Sequence, residues 1–413
     1  MFNQVKNKIM NKRIIKILIL IIISILTFCF IMKNFFPAEW SFITPHKQGD
    51  FVRVGNMNFP SGMHSGAPIL LDDGRVLFIG QERGKEGVKK CEYFYPKTRK
   101  FHLFDVIDLK MPGSYKEVKL LDGRVLFVGA GRLGKANYSV FFNPENNNFT
   151  KGSGLITGRW RHAAILLKDG RVFVAGGELD DWEKQKIKKD KCFRLKTTEF
   201  YNPKTHSFEK GPDLPEELTD LKMFLDKNGN VIMLGGYNNK FEPNYNIYLF
   251  NPRTSNISKI GELKVKRHAQ SIFMLSCGEI LVMQGSYSEA EGIAKEIEIF
   301  KPETQTIEIV NTFNQKKRKS IHSLYLSIAK CPDDIVILYG GSYSVPFLTQ
   351  TFFDIDMYDA KNNKFIKTRK KTNHSYNYLN SNIVLKDGNI LLIGGGKTRL
   401  GAEIYKVNKK IKR

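Results

Sequence analysis

Short apolar runs recur along the chain, each opened by a turn signal and most of them closed on glycine. They are "DDGRVLFIGQ" from Asp72, "LDGRVLFVGA" from Leu121, "KDGRVFVAGG" from Lys168, "KNGNVIMLGG" from Lys227, "SCGEILVMQG" from Ser276, "PDDIVILYGG" from Pro332 and "KDGNILLIGG" from Lys386. Runs this short, rich in Val, Ile, Leu and Phe, read as strands. A second pattern follows the first six copies: "FYPKTRKF", "FNPENNNF", "YNPKTHSF", "FNPRTSNI", "FKPETQTI" and "YDAKNNKF". Each sets an aromatic two residues before Pro or Ala and an apolar residue five after it, which predicts a strand, a tight turn and another strand. One unit is therefore strand a ("HAAILL"), an Asp-Gly turn, strand b ("RVFVAGG"), a variable loop, strand c ("TEFYNP"), a turn and strand d ("SFEKG").

The turn residues Gly74, Gly123, Gly170, Gly229, Gly278, Asp334 and Gly388 lie 49, 47, 59, 49, 56 and 54 positions apart. A fixed period of about 50 residues with four strands per unit is the signature of a propeller blade. The prediction is an all-β, seven-bladed β-propeller over residues 49–408, followed by a basic tail at 409–413. The seventh unit has strand c ("AEIYKVN") and no strand d after it. The stretch "GDFVRVGNMNFP" (Gly49–Pro60) places Phe51 thirteen residues before His64, as Phe149 lies before His162. An N-terminal strand d is thus expected to close the ring and remove the sheet edges.

The pattern "R-H-x-A…DGRVLVVGG…E-x-Y-NP-x-T" resembles kelch repeats of the divergent bacterial kind, also found in the propeller domain of galactose oxidase. The double glycine stands at Gly176-Gly177, Gly235-Gly236, Gly340-Gly341 and Gly394-Gly395, and Phe or Tyr replaces the family's Trp in strand c. The resemblance implies a scaffold that serves binding modules and enzymes alike. Galactose oxidase holds copper through His and Tyr, partly from a C-terminal domain; this chain stops at its seventh blade, so no copper site, no other metal, no cofactor and no catalytic residue is expected. Some exported kelch propellers isomerise sialic acids, which makes a sialic acid mutarotase-like isomerase the alternative to a binding module. Such an enzyme wants cations pointing down the central channel, whereas a binding module spreads them over loops; the spread along the sequence favours binding.

Residues 1–33 are a separate object. Five Lys and Arg precede the uncharged run Ile17–Met32, which is 16 residues long, or 19 from Ile14 if Lys16 snorkels. This predicts one transmembrane signal-anchor, cytoplasmic at its basic end, with a linker at 34–48 and the propeller outside, in the periplasm or at the cell surface. Cleavage is the alternative, although the run ends in Phe, Ile and Met rather than in small residues, and Phe28 disfavours lipidation of Cys29. Of the other cysteines, Cys277 and Cys331 sit in equivalent turns of adjacent blades; a disulfide there is the minor alternative to incidental thiols. "GGGKT" from Gly394 lacks the upstream spacing of a phosphate loop.

The chain carries 65 Lys and Arg against 41 Asp and Glu, a net +24, which points to acidic partners. Strand order puts the d-to-a and b-to-c loops on one face. Four d-to-a segments hold thirteen cations and no acid: Arg159 and Arg161; Lys264, Lys266 and Arg267; Lys316 to Lys319, including Arg318; and Lys367 with Arg369 to Lys371. The opposite a-to-b turns carry Asp72, Asp73, Asp122, Asp169 and their equivalents. His162, His268, His322 and His374, with His64, each lie near the start of a strand a, where a histidine is expected to bond loop backbone rather than a metal. Trp160 and Trp182 fall on the loops of blade three, able either to cap the blade or to anchor a ligand. The expectation is a monomeric module that binds an acidic protein or glycan, not nucleic acid, through Arg159, Trp160, Arg161, His162, Trp182, Lys266, Arg267, His268, Arg318, His322, Arg369 and His374. A solvated lysine-rich surface is the plain alternative.

Overall fold

The computed structural model describes residues 51–58, 67–79, 91–104, 115–129, 138–179, 194–267, 270–288, 292–312, 327–340, 342–345, 348–351, 355–366, 381–395 and 400–407, with Ser24, Thr372, His374 and Tyr376 as single residues. The anchor but for Ser24, the linker and the basic tail lie outside the described residues, and no helix among the described residues is long and apolar enough to cross a membrane.

Seven four-stranded antiparallel sheets follow one another along the chain. In blade three the strands are a Ala163–Leu166, b Val172–Ala175, c Thr198–Asn202 and d Ser207–Lys210. Strand b is buried at every position in blades one to six, because its two faces serve two different cores. In blade two, Val125 and Phe127 pack towards blade one and Leu126 and Val128 towards blade three. Each of the seven apolar clusters lies between two neighbouring blades in this way. Alternation with a period of two therefore survives inside an uninterrupted apolar run.

Blade seven takes its outer strand from the other end of the chain: Phe51 pairs with Tyr405, Val52 with Ile404 and Arg53 with Glu403. Phe51 is 1% exposed and packs with Tyr405 and blade six residues, while Met57 joins the core between blades seven and one.

The Asp-Gly-Arg turns close on themselves. Asp73, Asp122 and Asp169 each accept the backbone N–H two residues on, at 2.9, 3.0 and 3.0 Å, and pair with the arginine there. Those guanidiniums then lie over strand c rings: Arg75 on Tyr93 at 4.2 Å, Arg124 on Phe141 at 5.0 Å and Arg171 on Phe200 at 4.6 Å. Asp73, Asp122 and Asp169 are thereby neutralised locally, whereas Asp226 and Asp387 hold the side-chain N–H of Asn230 and Asn389. Cys277 is exposed and Cys331 buried, and both are free thiols, so the disulfide alternative is overturned.

Candidate binding face

The d-to-a and b-to-c segments do share a face, since they pair with each other. Arg159 and Trp160 form a short ribbon with Leu179 and Glu178, and Leu218 and Thr219 do so with Asn238 and Tyr237. The double glycine makes room for this. A Cβ on Gly177 would stand 2.6 Å from the Trp160 carbonyl oxygen, and one on Gly176 would stand 2.3 Å from that of Leu218 in the next blade.

Two of the expected surface cations are interior, which corrects the reading of the face. Arg159 is 0% exposed; its guanidinium donates to the carbonyl oxygens of Gly176 and Thr197 at 2.9 and 2.8 Å and pairs with Glu199 at 2.6 Å. The same carboxylate accepts the backbone N–H of Ile156 and of Thr157 at 2.7 and 3.0 Å. Blade five repeats the arrangement. Arg267, 1% exposed, donates to the Gln284 and Glu296 carbonyls and pairs with Glu298, which takes the N–H of Lys264 and Val265. The arginine thus ties the d-to-a segment into its own blade and presents no charge to a partner. In blade one, Glu92 accepts the backbone and side-chain N–H of Asn58 at 3.0 and 2.7 Å; among the described residues no arginine pairs with it and its other oxygen has no hydrogen-bond partner. Burial raises the Glu92 pKa to about 7 against the relief from Asn58.

His162 is also interior, at 1% exposure. Burial first, then the Arg159 and Lys116 charges, hold its pKa down at about 3, with the backbone of Val128 and Arg159 acting the other way. A neutral imidazole wedged between blades matches a packing role. His374 is half-buried, its pKa lowered to about 4 by burial and by Arg53. Lys266 is exposed and lies 4.2 Å over the Tyr245 ring, in a cleft of about 670 Å³ that Glu216, Glu242 and Glu296 also line. Acids from the b-to-c side therefore reach this face. Trp182, His268, Arg318, His322 and Arg369 lie outside the described residues.

What the blade three and four loops do build is a ladder of cations and rings. The Arg161 guanidinium bonds Asp220 and reaches Glu178 at 3.3 Å; Glu178 in turn is 3.5 Å from Arg194. Burial would lower the Arg161 pKa, and the Asp220 bond and charge outweigh it and raise it. Arg161 stands 5.5 Å from the Trp160 ring and 5.9 Å from Tyr237, and Arg194 stands 5.9 Å from Tyr237 and 4.1 Å from Phe241. Phe241 is 61% exposed. Arg161, Asp220 and Phe241 all have φ between 53° and 62°, in the left-handed region that such residues rarely adopt. Backbone strain of this kind persists where surrounding contacts hold it; the Arg161 carbonyl accepts the Asp220 N–H at 2.9 Å and the Thr219 hydroxyl at 3.2 Å. Glu178, Arg194, Asp220, Tyr237 and Phe241 were not singled out in the sequence, although Glu178 directly follows a double glycine.

The chain is a seven-bladed β-propeller. No family model matches it and no curated protein matches it. Among solved structures it is similar to a fungal alcohol oxidase of the AA5 family, in complex with copper, with a TM-score of 0.62 and 14% identity over 87% of this chain and 76% of that one. At that identity the likeness shows the fold. Among the described residues, no group of three or more His, Cys, Asp or Glu stands where it could hold a metal ion.

Proposed function

We propose that this propeller is a kelch-like binding module, tethered to a membrane by its N-terminal segment and facing outward, that takes an acidic protein or glycan on the loops of blades three and four. The observation that carries the reading is the ladder Trp160, Arg161, Tyr237, Arg194 and Phe241, with an exposed aromatic at its end and strained backbone at Arg161 and Phe241. Aromatic and arginine anchors on rigid loops are where binding energy concentrates.

The geometry also decides which variants test it. Arg161→Glu would set a third carboxylate beside Glu178 and Asp220 and disturb the loops, so it is a poor probe. Phe241→Ala and Trp160→Ala should each weaken a partner captured from the native envelope by about 1–3 kcal/mol, while the thermal midpoint holds. Unchanged binding in both variants defeats the reading, and prior digestion of glycans in the envelope distinguishes the two kinds of partner.

A second reading, an exported carbohydrate-active enzyme such as a sialic acid mutarotase-like isomerase, is favoured by one observation. Lys116 and Lys222 come from different blades and interact electrostatically with each other, as cations converging on a channel would.

A further inference from the structure

Register with strand b makes the first residue of every strand a equivalent. Lys116 pairs with Val128, Ala163 with Ala175, Lys222 with Leu234, Ser271 with Met283, Ser327 with Tyr339 and Ser381 with Ile393. Extended by two residues from Ile69, the same register brings Ala67 of blade one to this level. The mouth of the central channel is therefore ringed by two alanines, three serines and two lysines on the face that carries the d-to-a loops. The two lysines belong to blades two and four, with blade three and its small Ala163 between them, and the charge of Lys116 acts on Lys222.

Both lysines are exposed, and neither has an ion-pair or hydrogen-bond partner among the described residues. Protein nonetheless crowds around them. Desolvation, and after it the like charge of Lys116, lowers the Lys222 pKa, with Asp220 and Glu117 offsetting only part. Those two acids are otherwise engaged: Asp220 is bonded by Arg161, and Glu117 interacts with the backbone N–H of Ala67 and is itself pushed towards the protonated form by burial. Two like charges in a partly desolvated channel, offset only in part by Glu117 and Asp220, attract an anion.

We propose that Lys116 and Lys222 form a site at the channel mouth for the carboxylate or phosphate group of a small anion, with the Ser271, Ser327 and Ser381 side of the ring facing its hydroxyl groups. This deepens the second reading above by naming the group the channel takes, and it requires no catalysis.

The test is calorimetric titration of the full-length chain with glucuronate, with inorganic phosphate, and with glucose as the neutral control. At least one anion should bind and glucose should not. Replacing both lysines (Lys116→Gln with Lys222→Gln) should weaken that binding by roughly tenfold or more at an unchanged thermal midpoint, and Lys116→Arg with Lys222→Arg should keep it. Preference for glucuronate marks a carboxylated sugar, and preference for phosphate marks a phosphorylated ligand. The site is overturned if neither anion binds at millimolar concentration, if glucose binds as well as glucuronate, or if the double glutamine variant binds as the parent does. In the same samples, anomer exchange of glucuronate followed by NMR addresses the isomerase separately: intact binding without acceleration removes that reading and leaves the site standing.

Discussion

Replacing Arg159 by methionine should convert the seat of blade three into the seat that blade one already has. In blade one, Glu92 is buried with no arginine beside it among the described residues, and its pKa rises from 4.5 to about 7. At ~1.4 kcal/mol per pH unit, that shift corresponds to about 3 kcal/mol opposing ionisation. In Arg159→Met the Glu199 carboxylate would keep the N–H groups of Ile156 and Thr157, while the Gly176 carbonyl loses the guanidinium donor and the Thr197 carbonyl is left with the Gly176 N–H. The expected loss at pH 8 is about 3–5 kcal/mol, the range found when one partner of a buried pair is removed. For a propeller of this length, at ~2.1 cal/mol/K per residue, that is roughly a 5 °C fall in thermal midpoint. The sign with pH follows from a carboxyl whose folded-state pKa is raised: its penalty is complete above that pKa and absent below its unfolded value. The loss should therefore shrink between pH 8 and pH 4. Adding Glu199→Gln, which keeps an acceptor for the two N–H groups and removes the charge, should restore most of the stability at pH 8. Urea unfolding of the three variants at both pH values gives the measurement. A loss under about 1 kcal/mol at pH 8, or one independent of pH, would refute the claim that Arg159 serves the interior rather than a partner.

Glu92→Gln should stabilise the protein at pH 8 by up to about 3 kcal/mol and be near neutral at pH 4, since the penalty it removes builds as pH rises from 4.5 to about 7 and is complete above that; equal unfolding midpoints for variant and parent at pH 8 would count against it. Gly177→Ala should cost about 2–4 kcal/mol, because its φ is +96° and the new methyl meets the Trp160 carbonyl and His162. Gly278→Ala, at φ +90° with nothing within 4 Å, should cost clearly less, and paired urea titrations compare the two.

The blades were legible because both requirements of a strand b are local: an apolar residue at every position, and a turn residue such as Gly74 or Gly170 just before. The fate of a single loop cation was not. Arg159 and Arg161 are two residues apart in one segment, yet one is 0% exposed and the other has a side chain 34% exposed. What separates them is a carboxylate forty positions downstream, together with a left-handed turn at Arg161. A signal for the seat was nevertheless present in the repeats. Glu92, Glu199 and Glu298 all stand four residues before the proline of their unit, at a buried position of strand c, where an acid needs a partner. The ladder on blades three and four left no such trace, because Arg194, Tyr237 and Phe241 meet only through loops of unequal length.

Blade seven also sets an order of events during synthesis. Its outer strand, Phe51–Arg53, leaves the ribosome among the first of the folded residues, and its pairing partner, Gly401–Tyr405, among the last. Until then the strand has no neighbour, and the flanks of blades one and six that will face blade seven stay open to water. The growing chain consequently carries two unfinished surfaces for nearly the whole time it takes to make it, a state in which apolar edges invite the wrong company. Cooperative locking can come only once Gly401–Tyr405 has been made, so a product lacking that strand would behave as an unclosed arc and be a natural target for quality control rather than a slightly weaker propeller.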